Sequence, residues 1–456
     1  MNYNYINEII QDKSRIKVGK DIPEKYLSDG IKRNKGNAEL LVFPITTEEV
    51  SKIMKFAYEN NIIVTPRGAG TGLVGATIPT HGGIVLDLSL MNKILELDEE
   101  TLTITVEPGI TLKELQEYVE KNNLFYPPDP GEKNASIGGN INTNAGGMRA
   151  VKYGVTRNYI MALEIVLANG SIVNVGGKVI KDSSGLDLKD LIIGSEGTLG
   201  IVTGATLKLI PKPKKSVSIL IPFLSLENAI DSVIKIINKN AKPTAIEFME
   251  KDVIKNAENY LHLKFPDDRG QAYLLLTFDG DEQFEIVANY NKVKEVCLGS
   301  GAIDFIILEK KEEIDRTWKI RGALVTAVEA TSEQEPIDIV VPINKTADFI
   351  NFTKVAEVKY GIKITSFGHA GDGNVHLCVI RGDMDQEEWN KKSPMLLDAL
   401  YETNKKLGGL PSGEHGIGLN KRPYFLKVTD RVNVEYMRKI KSVFDDKNIL
   451  NPNKGY

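Results

Sequence analysis

With 456 residues, 42% hydrophobic and 26% charged, the chain has the make-up of a globular protein too long for one core, so two domains are expected. Its net charge of -4 gives no reason to expect nucleic acid as a partner, and two cysteines, Cys297 and Cys378, are too few to hold an iron–sulfur cluster. No apolar run approaches the ~20 residues that cross a bilayer, and the opening MNYNYINEIIQDKSR lacks the basic and apolar stretches of a signal peptide, so a cytoplasmic location is expected.

Residues 46–60 read as an amphipathic helix, with Val50, Ile53, Met54 and Ala57 on one stripe and Thr46 and Glu49 at capping-box spacing. NIIVTP reads as a buried strand that leads into the glycine-rich RGAGTGLVG. GGIVLDL and TLTITVEPG are strands, and TLKELQEYVEKNN is a second capped helix. From Pro127 to Gly147 the chain has no periodicity and is rich in Gly, Asn and Pro; a loop that long inside a domain points to function. Strand patterns return in MALEIVLANGSIVNVGG and EGTLGIVTGATLKLIPKP. PKPKK at 211–215 marks a boundary. Beyond it, SVSILIPF, ENAIDSVIKIIN, AIEFM, QAYLLLTFDG and DIVVPIN read as strand, helix and three strands of an α+β domain with mostly antiparallel sheet. The tail reads as a helix and a proline-ended turn.

Gly70, Gly72 and Gly75 satisfy the G-x-G-x-x-G spacing of a dinucleotide-binding turn, and they follow a strand. A helix should open there, but Pro79 and the Gly82–Gly83 pair stand in its place, so a Rossmann fold is excluded on context. Tight turns explain one or two of Gly68, Gly70, Gly72 and Gly75; the four together suit backbone N–H groups that cradle phosphate.

PRGAGTGL (66–73), PPDPGEKNASIGGNINTNAGG (127–147) and IIGSEGTLGIVTGATLKL (192–209) resemble the FAD-binding domain of the vanillyl-alcohol oxidase, or PCMH, type. GHAGDGNVH (368–376), PSGEHGIG (411–418) and FDDKNILNPNKG (444–455) resemble the C-terminal half of its D-lactate dehydrogenase and glycolate oxidase branch. The implied fold is α+β: a two-subdomain FAD-binding domain over residues 1–215, a substrate or cap domain with antiparallel sheet over 216–420, and a segment over 421–456 that returns to the FAD domain. The resemblance implies that Arg67, Gly68, Ala69, Gly70, Thr71 and Gly72 hold the pyrophosphate, with Pro66 beside them also a cofactor-binding residue. Pro128, Asp129, Ser136, Gly138, Gly139, Asn142, Gly146 and Gly147 would line the flavin and ribityl chain, and Glu196, Gly200 and Ile201 would contact the adenosine end. Where some members tether flavin through His or Cys, this loop has Ala69 and Thr71, so noncovalent FAD is expected. His81 lies past the loop and reads as a surface turn residue.

Three of five histidines fall in the two C-terminal glycine-rich motifs. ITSFGH and VHLCVI read as strands joined by AGDGN, a hairpin in which His369 and His376 could face each other at about 5 Å. With Glu414, and with relatives that bind a divalent metal at matching positions, these would ligate zinc, iron or manganese; the bland alternative is a hydrogen-bonded hairpin pair. His415 is the expected base, Arg321 in TWKIRGAL the expected carboxylate clamp, and Asn374 a residue approaching the flavin. The implied reaction is oxidation of a D-2-hydroxy acid by hydride transfer to flavin N5. Relatives that act on D-2-hydroxyglutarate carry asparagine where this chain has Cys378 and lysine where it has Pro336, so D-lactate or glycolate is expected. A glycolate or D-2-hydroxyglutarate dehydrogenase, an oxidase or ether-lipid-synthase-like flavoenzyme, and a noncatalytic FAD subunit are the alternatives. A soluble acceptor such as an electron-transfer flavoprotein is the expected partner.

Overall fold

The computed structural model describes residues 4–456, which form two compact units. The first runs to Gly146, resumes over Val155–Lys212 and ends with Glu414–Tyr456; the second comprises Gly147–Gly154 and Pro213–Gly413. The handover at 212 falls inside the PKPKK run, whereas the short excursion over 147–154 has no sequence signal. Its helix, Ala150–Tyr153, belongs to the second unit because Tyr153 Oη donates to Asp279 Oδ1 at 2.9 Å and Lys152 pairs with the same carboxylate.

The first unit holds two main sheets. Ile16–Val18, Leu40–Val42, Ile84–Asp87 and Val64–Arg67 lie in that order, the first pair antiparallel and the others parallel. Ile94–Asp98, Thr103–Val106, Ile201–Lys208, Ile160–Val166 and Ile172–Gly176 form an antiparallel sheet. The helix Thr47–Glu59 buries the expected Val50, Ile53, Met54 and Ala57 against Leu40, Val42, Val64 and Leu86, each larger side chain contributing roughly 1.5–3 kcal/mol. Thr46 caps it by accepting from Glu49 N at 3.2 Å, but the reciprocal half of the box is absent: the Glu49 carboxylate is taken by Arg15 and by Ile45 N. The helix Leu112–Lys121 has the full box through Thr111 and Glu114.

Within the expected loop 127–147 the chain forms a helix, Ile137–Thr143, capped by Ser136, whose hydroxyl accepts from Gly139 N at 3.2 Å. Two glycines in its first turn hide it from propensity. Gly138 is required there by contact, since a Cβ would lie 2.7 Å from Pro108 Cβ.

The second unit is built on one antiparallel sheet in the order Ile306–Leu308, Lys215–Phe223, Ala272–Gly280, Ala245–Glu250, Lys363–His369, Asn374–Ile380 and Gln334–Val340. Leu220, Leu275, Met249, Phe367 and Cys378 project from one face into an apolar core completed by the helices Lys251–Leu261, Lys311–Gly322 and Leu324–Glu329. Among the described residues no helix is long and apolar enough to cross a membrane.

Candidate functional site

In the first unit, Val64–Arg67 delivers the chain into residues 68–83, which form no helix, as the failed Rossmann context requires. Gly70 and Gly75 have φ of 72° and 78°, which only glycine adopts without strain. Gly68 is fixed by contact, because a Cβ there would sit 2.1 Å from Ser136 Oγ. Gly72 answers to neither reason: its φ is not positive, and a Cβ would meet no protein atom within 4 Å. That open space above bare backbone fits a cradle for a bulky anionic cofactor such as FAD.

Pro66, Arg67, Gly68, Ser136, Gly138, Gly139, Asn142, Glu196, Gly200 and Ile201 line one cleft of this unit. Ser136 Oγ ties two of its walls by accepting from Ala69 N and Gly139 N, each at 3.2 Å. Asn142 ties a third, accepting from Gly197 N at 3.0 Å and Glu196 N at 2.8 Å. The Arg67 guanidinium packs on Gly70, where a Cβ would lie 1.9 Å from its Nη2, and donates to the carbonyls of Ser28 and Lys25, both at 2.8 Å, so it braces the loop. The buried Glu196 carboxylate accepts from Ile417 N and from Gly418 N at 2.7 Å; burial raises its pKa, and these two bonds oppose the rise. Of the other expected FAD residues in this unit, Ala69, Gly70, Thr71 and Gly72 lie in the loop that follows Val64–Arg67. Pro128 accepts from Gln116 at 3.1 Å, and Asp129 is buried against Lys133. Gly146 lies close enough to Glu414 that a Cβ would stand 3.1 Å from its Oε2. Gly147 belongs to the second unit. Glu414 and His415 are in the first unit, with Glu414 Oε1 3.7 Å from His415 Nε2. His81 is exposed and bonded to Thr80 and Asn453.

In the second unit, His369 pairs in register with Asn374, and His376 with Phe367, so the two histidines share a face but lie diagonally rather than directly opposite. Their ring centroids are 5.1 Å apart, edge to face. Gly373, at φ 79°, closes the turn between them. His369 also pairs in register with Glu247 on the neighbouring strand, and Glu247 Oε1 stands 2.7 Å from His369 Nδ1. Arg321, buried on the helix Lys311–Gly322, meets Glu247 Oε2 through Nε at 2.8 Å and Nη2 at 2.5 Å, and its guanidinium lies over Phe367 at 5.1 Å. Burial would raise the Glu247 carboxyl, but its contacts with His369 and Arg321 hold it below its ordinary value. The donor set fits a metal: two buried imidazoles on one face, one with its second nitrogen set by a carboxylate.

Asn374 directs its amide to Asp338 Oδ1 at 2.7 Å and Ile339 O at 3.0 Å. Asp338 in turn accepts from Ser412 Oγ at 2.7 Å and from Gly413 N, anchoring the chain just before Glu414. Glu247 and Asp338 escaped the sequence reading. The signal was there: each is an acid with apolar neighbours on both sides, in AIEFM and PIDIVV, and each is fully buried.

Residues 212–455 match the family of FAD linked oxidases, C-terminal domain, and residues 38–176 match the FAD binding domain. The chain is 43% identical over 447 residues to a D-lactate dehydrogenase of Anaerostipes hadrus, an alignment spanning 96% of this chain and 94% of that one. It is 38% identical to the glycolate oxidase subunit GlcD of Bacillus subtilis, over 94% of this chain and 92% of the relative. Among solved structures, p-cresol methylhydroxylase with substrate bound matches with a TM-score of 0.77 at 17% identity, covering 100% of this chain and 97% of that one, a likeness of fold. The chain belongs to the FAD-linked oxidases. It is a flavoprotein oxidoreductase of the PCMH-type fold, and its cofactor is FAD.

Proposed function

We propose that the protein oxidises D-lactate to the 2-oxo acid as an FAD-dependent dehydrogenase. The observation that carries this reading is a buried guanidinium and a buried imidazole pair linked through one carboxylate, Glu247. A 2-hydroxy acid carries a carboxylate next to a hydroxyl, and so needs a fixed cation beside groups that handle a hydroxyl proton.

Arg321 would hold the substrate carboxylate through its Nη1–Nη2 edge, because Glu247 engages the Nε–Nη2 edge. His369 and His376, with Glu414 as the third donor implied by the sequence, would hold a divalent metal; zinc, ferrous iron and manganese all suit such donors. His415 would take the hydroxyl proton. FAD would supply the hydride acceptor, and a metal held by these residues would supply positive charge that acidifies a hydroxyl. Two features support a monocarboxylate. Cys378 is sealed in the apolar core, and Pro336, its cross-strand partner, brings no cation. The similarity to D-lactate dehydrogenase and glycolate oxidase subunits supports the same class. Electrons would leave to a soluble partner protein such as an electron-transfer flavoprotein.

Anaerobic stopped-flow absorbance tests the reading. D-lactate bleaches the flavin within the turnover time, glycolate does so more slowly, and oxygen restores the colour slowly. His415→Ala keeps its FAD and loses the bleaching. No bleaching of wild-type protein by D-lactate sinks the substrate assignment, and rapid peroxide release makes the protein an oxidase.

A further inference from the structure

We infer that Glu247 is a positioning residue that fixes the proton of His369 on Nδ1, so that Nε2 presents its lone pair, while the same carboxylate sets the edge that Arg321 shows to a ligand. The inference rests on the proposal that His369 ligates a divalent metal. It concerns which nitrogen does so and what decides it.

The carboxylate is fully buried, and its two oxygens are divided between two tasks: Oε2 takes both N–H groups of one Arg321 edge, and Oε1 takes His369 Nδ1 at 2.7 Å. Arg321 alone balances the charge of Glu247, so the contact with His369 is not needed for neutrality. A carboxylate only accepts, so the nitrogen facing it carries the proton. The strand register makes this a built contact, because Glu247 and His369 are directly opposed across adjacent antiparallel strands. Imidazoles that ligate metals characteristically donate their other nitrogen to a carboxylate in this way.

Glu247→Gln reverses this arrangement. A guanidinium only donates, so the amide oxygen of Gln is pinned to Arg321 and its NH2 faces His369. Nδ1 must then accept, the proton moves to Nε2, and the lone pair for a metal is lost. The FAD-loaded protein, stripped of metal and titrated calorimetrically with MnCl2, should show Kd raised about 10- to 100-fold in Glu247→Gln, with FAD content and flavin spectrum unchanged. Wild-type Kd in the variant overturns the inference. If wild-type protein takes up no manganese or zinc, the metal reading fails and the inference is judged on the ring itself. In ¹⁵N-histidine-labelled wild-type protein, with His369 assigned by His369→Gln, a proton on Nδ1 supports it and a proton on Nε2 overturns it. That measurement also decides the matter if Glu247→Gln does not fold.

Discussion

Gly72 and Gly68 stand four residues apart in one loop, yet they are glycine for different reasons. A Cβ at Gly68 would collide with Ser136 Oγ at 2.1 Å, while one at Gly72 would meet no protein atom. Gly72→Ala is therefore expected to fold like the wild type and to bind FAD about 10- to 100-fold more weakly, the equivalent of one hydrogen bond to a charged group. Gly68→Ala should lower the melting temperature of the cofactor-free protein as well. Flavin fluorescence titration with a parallel melting curve separates the two; unchanged FAD affinity in Gly72→Ala would remove that residue from the cradle. Arg321 gives a second contrast. Arg321→Lys keeps a charge for Glu247 but loses the fork, so KM for D-lactate should rise about 10- to 100-fold in a dye-linked assay while FAD content holds. An unaltered KM would make Arg321 a structural partner of Glu247 and nothing more.

At the scale of elements, a buried cation helps to hold the tail. Lys441 Nζ, on the helix Arg431–Phe444, reaches Asp445 Oδ2 at 2.5 Å and the carbonyls of Thr198 and Leu450, both at 2.7 Å. Asp445 also accepts from Ile449 N at 3.1 Å and Leu450 N at 2.8 Å, so the pair staples the last turn to its helix. Burial lowers the Lys441 pKa and Asp445 opposes it. Lys441→Met strands a buried carboxylate and should cost about 3–5 kcal/mol, read as a shift in the urea midpoint; a shift under about 1 kcal/mol would mean that water replaces the ammonium. Capped, striped helices such as Thr47–Glu59 and Leu112–Lys121 were legible in the sequence because their signal is local. Thr346–Tyr360 was not, since Val355 and Val358 are exposed at 64% and 85% and blur the stripe. The histidines and Arg321 could be named from the motifs they resemble. Glu247 could not, because its role comes from strand register between positions 122 residues apart, which no local pattern records.

At the scale of the whole molecule, cofactor and thiols divide between the units. The stretch that matches the FAD binding domain, residues 38–176, falls almost wholly in the first, whereas Cys297 and Cys378 both lie in the second, fully buried, where burial pushes each thiol up to about 12. A native thiol of that kind holds almost no thiolate at pH 8, while an exposed one, with a pKa of about 8.5, is ionised to about a quarter. A thiol reagent therefore reads the opening of the second unit, and flavin release reads the first. Each unit has its own sheet structure and its own apolar core, the condition under which cooperative unfolding is expected to break into steps. Across a urea series at pH 8, thiol labelling and flavin fluorescence should show separate midpoints, with labelling of both cysteines rising together. Coincident midpoints would mean that the four chain crossings between the units, after 146, 154, 212 and 413, couple them into one cooperative body. Thiols that react in native buffer before any flavin is released would contradict the burial from which the argument starts.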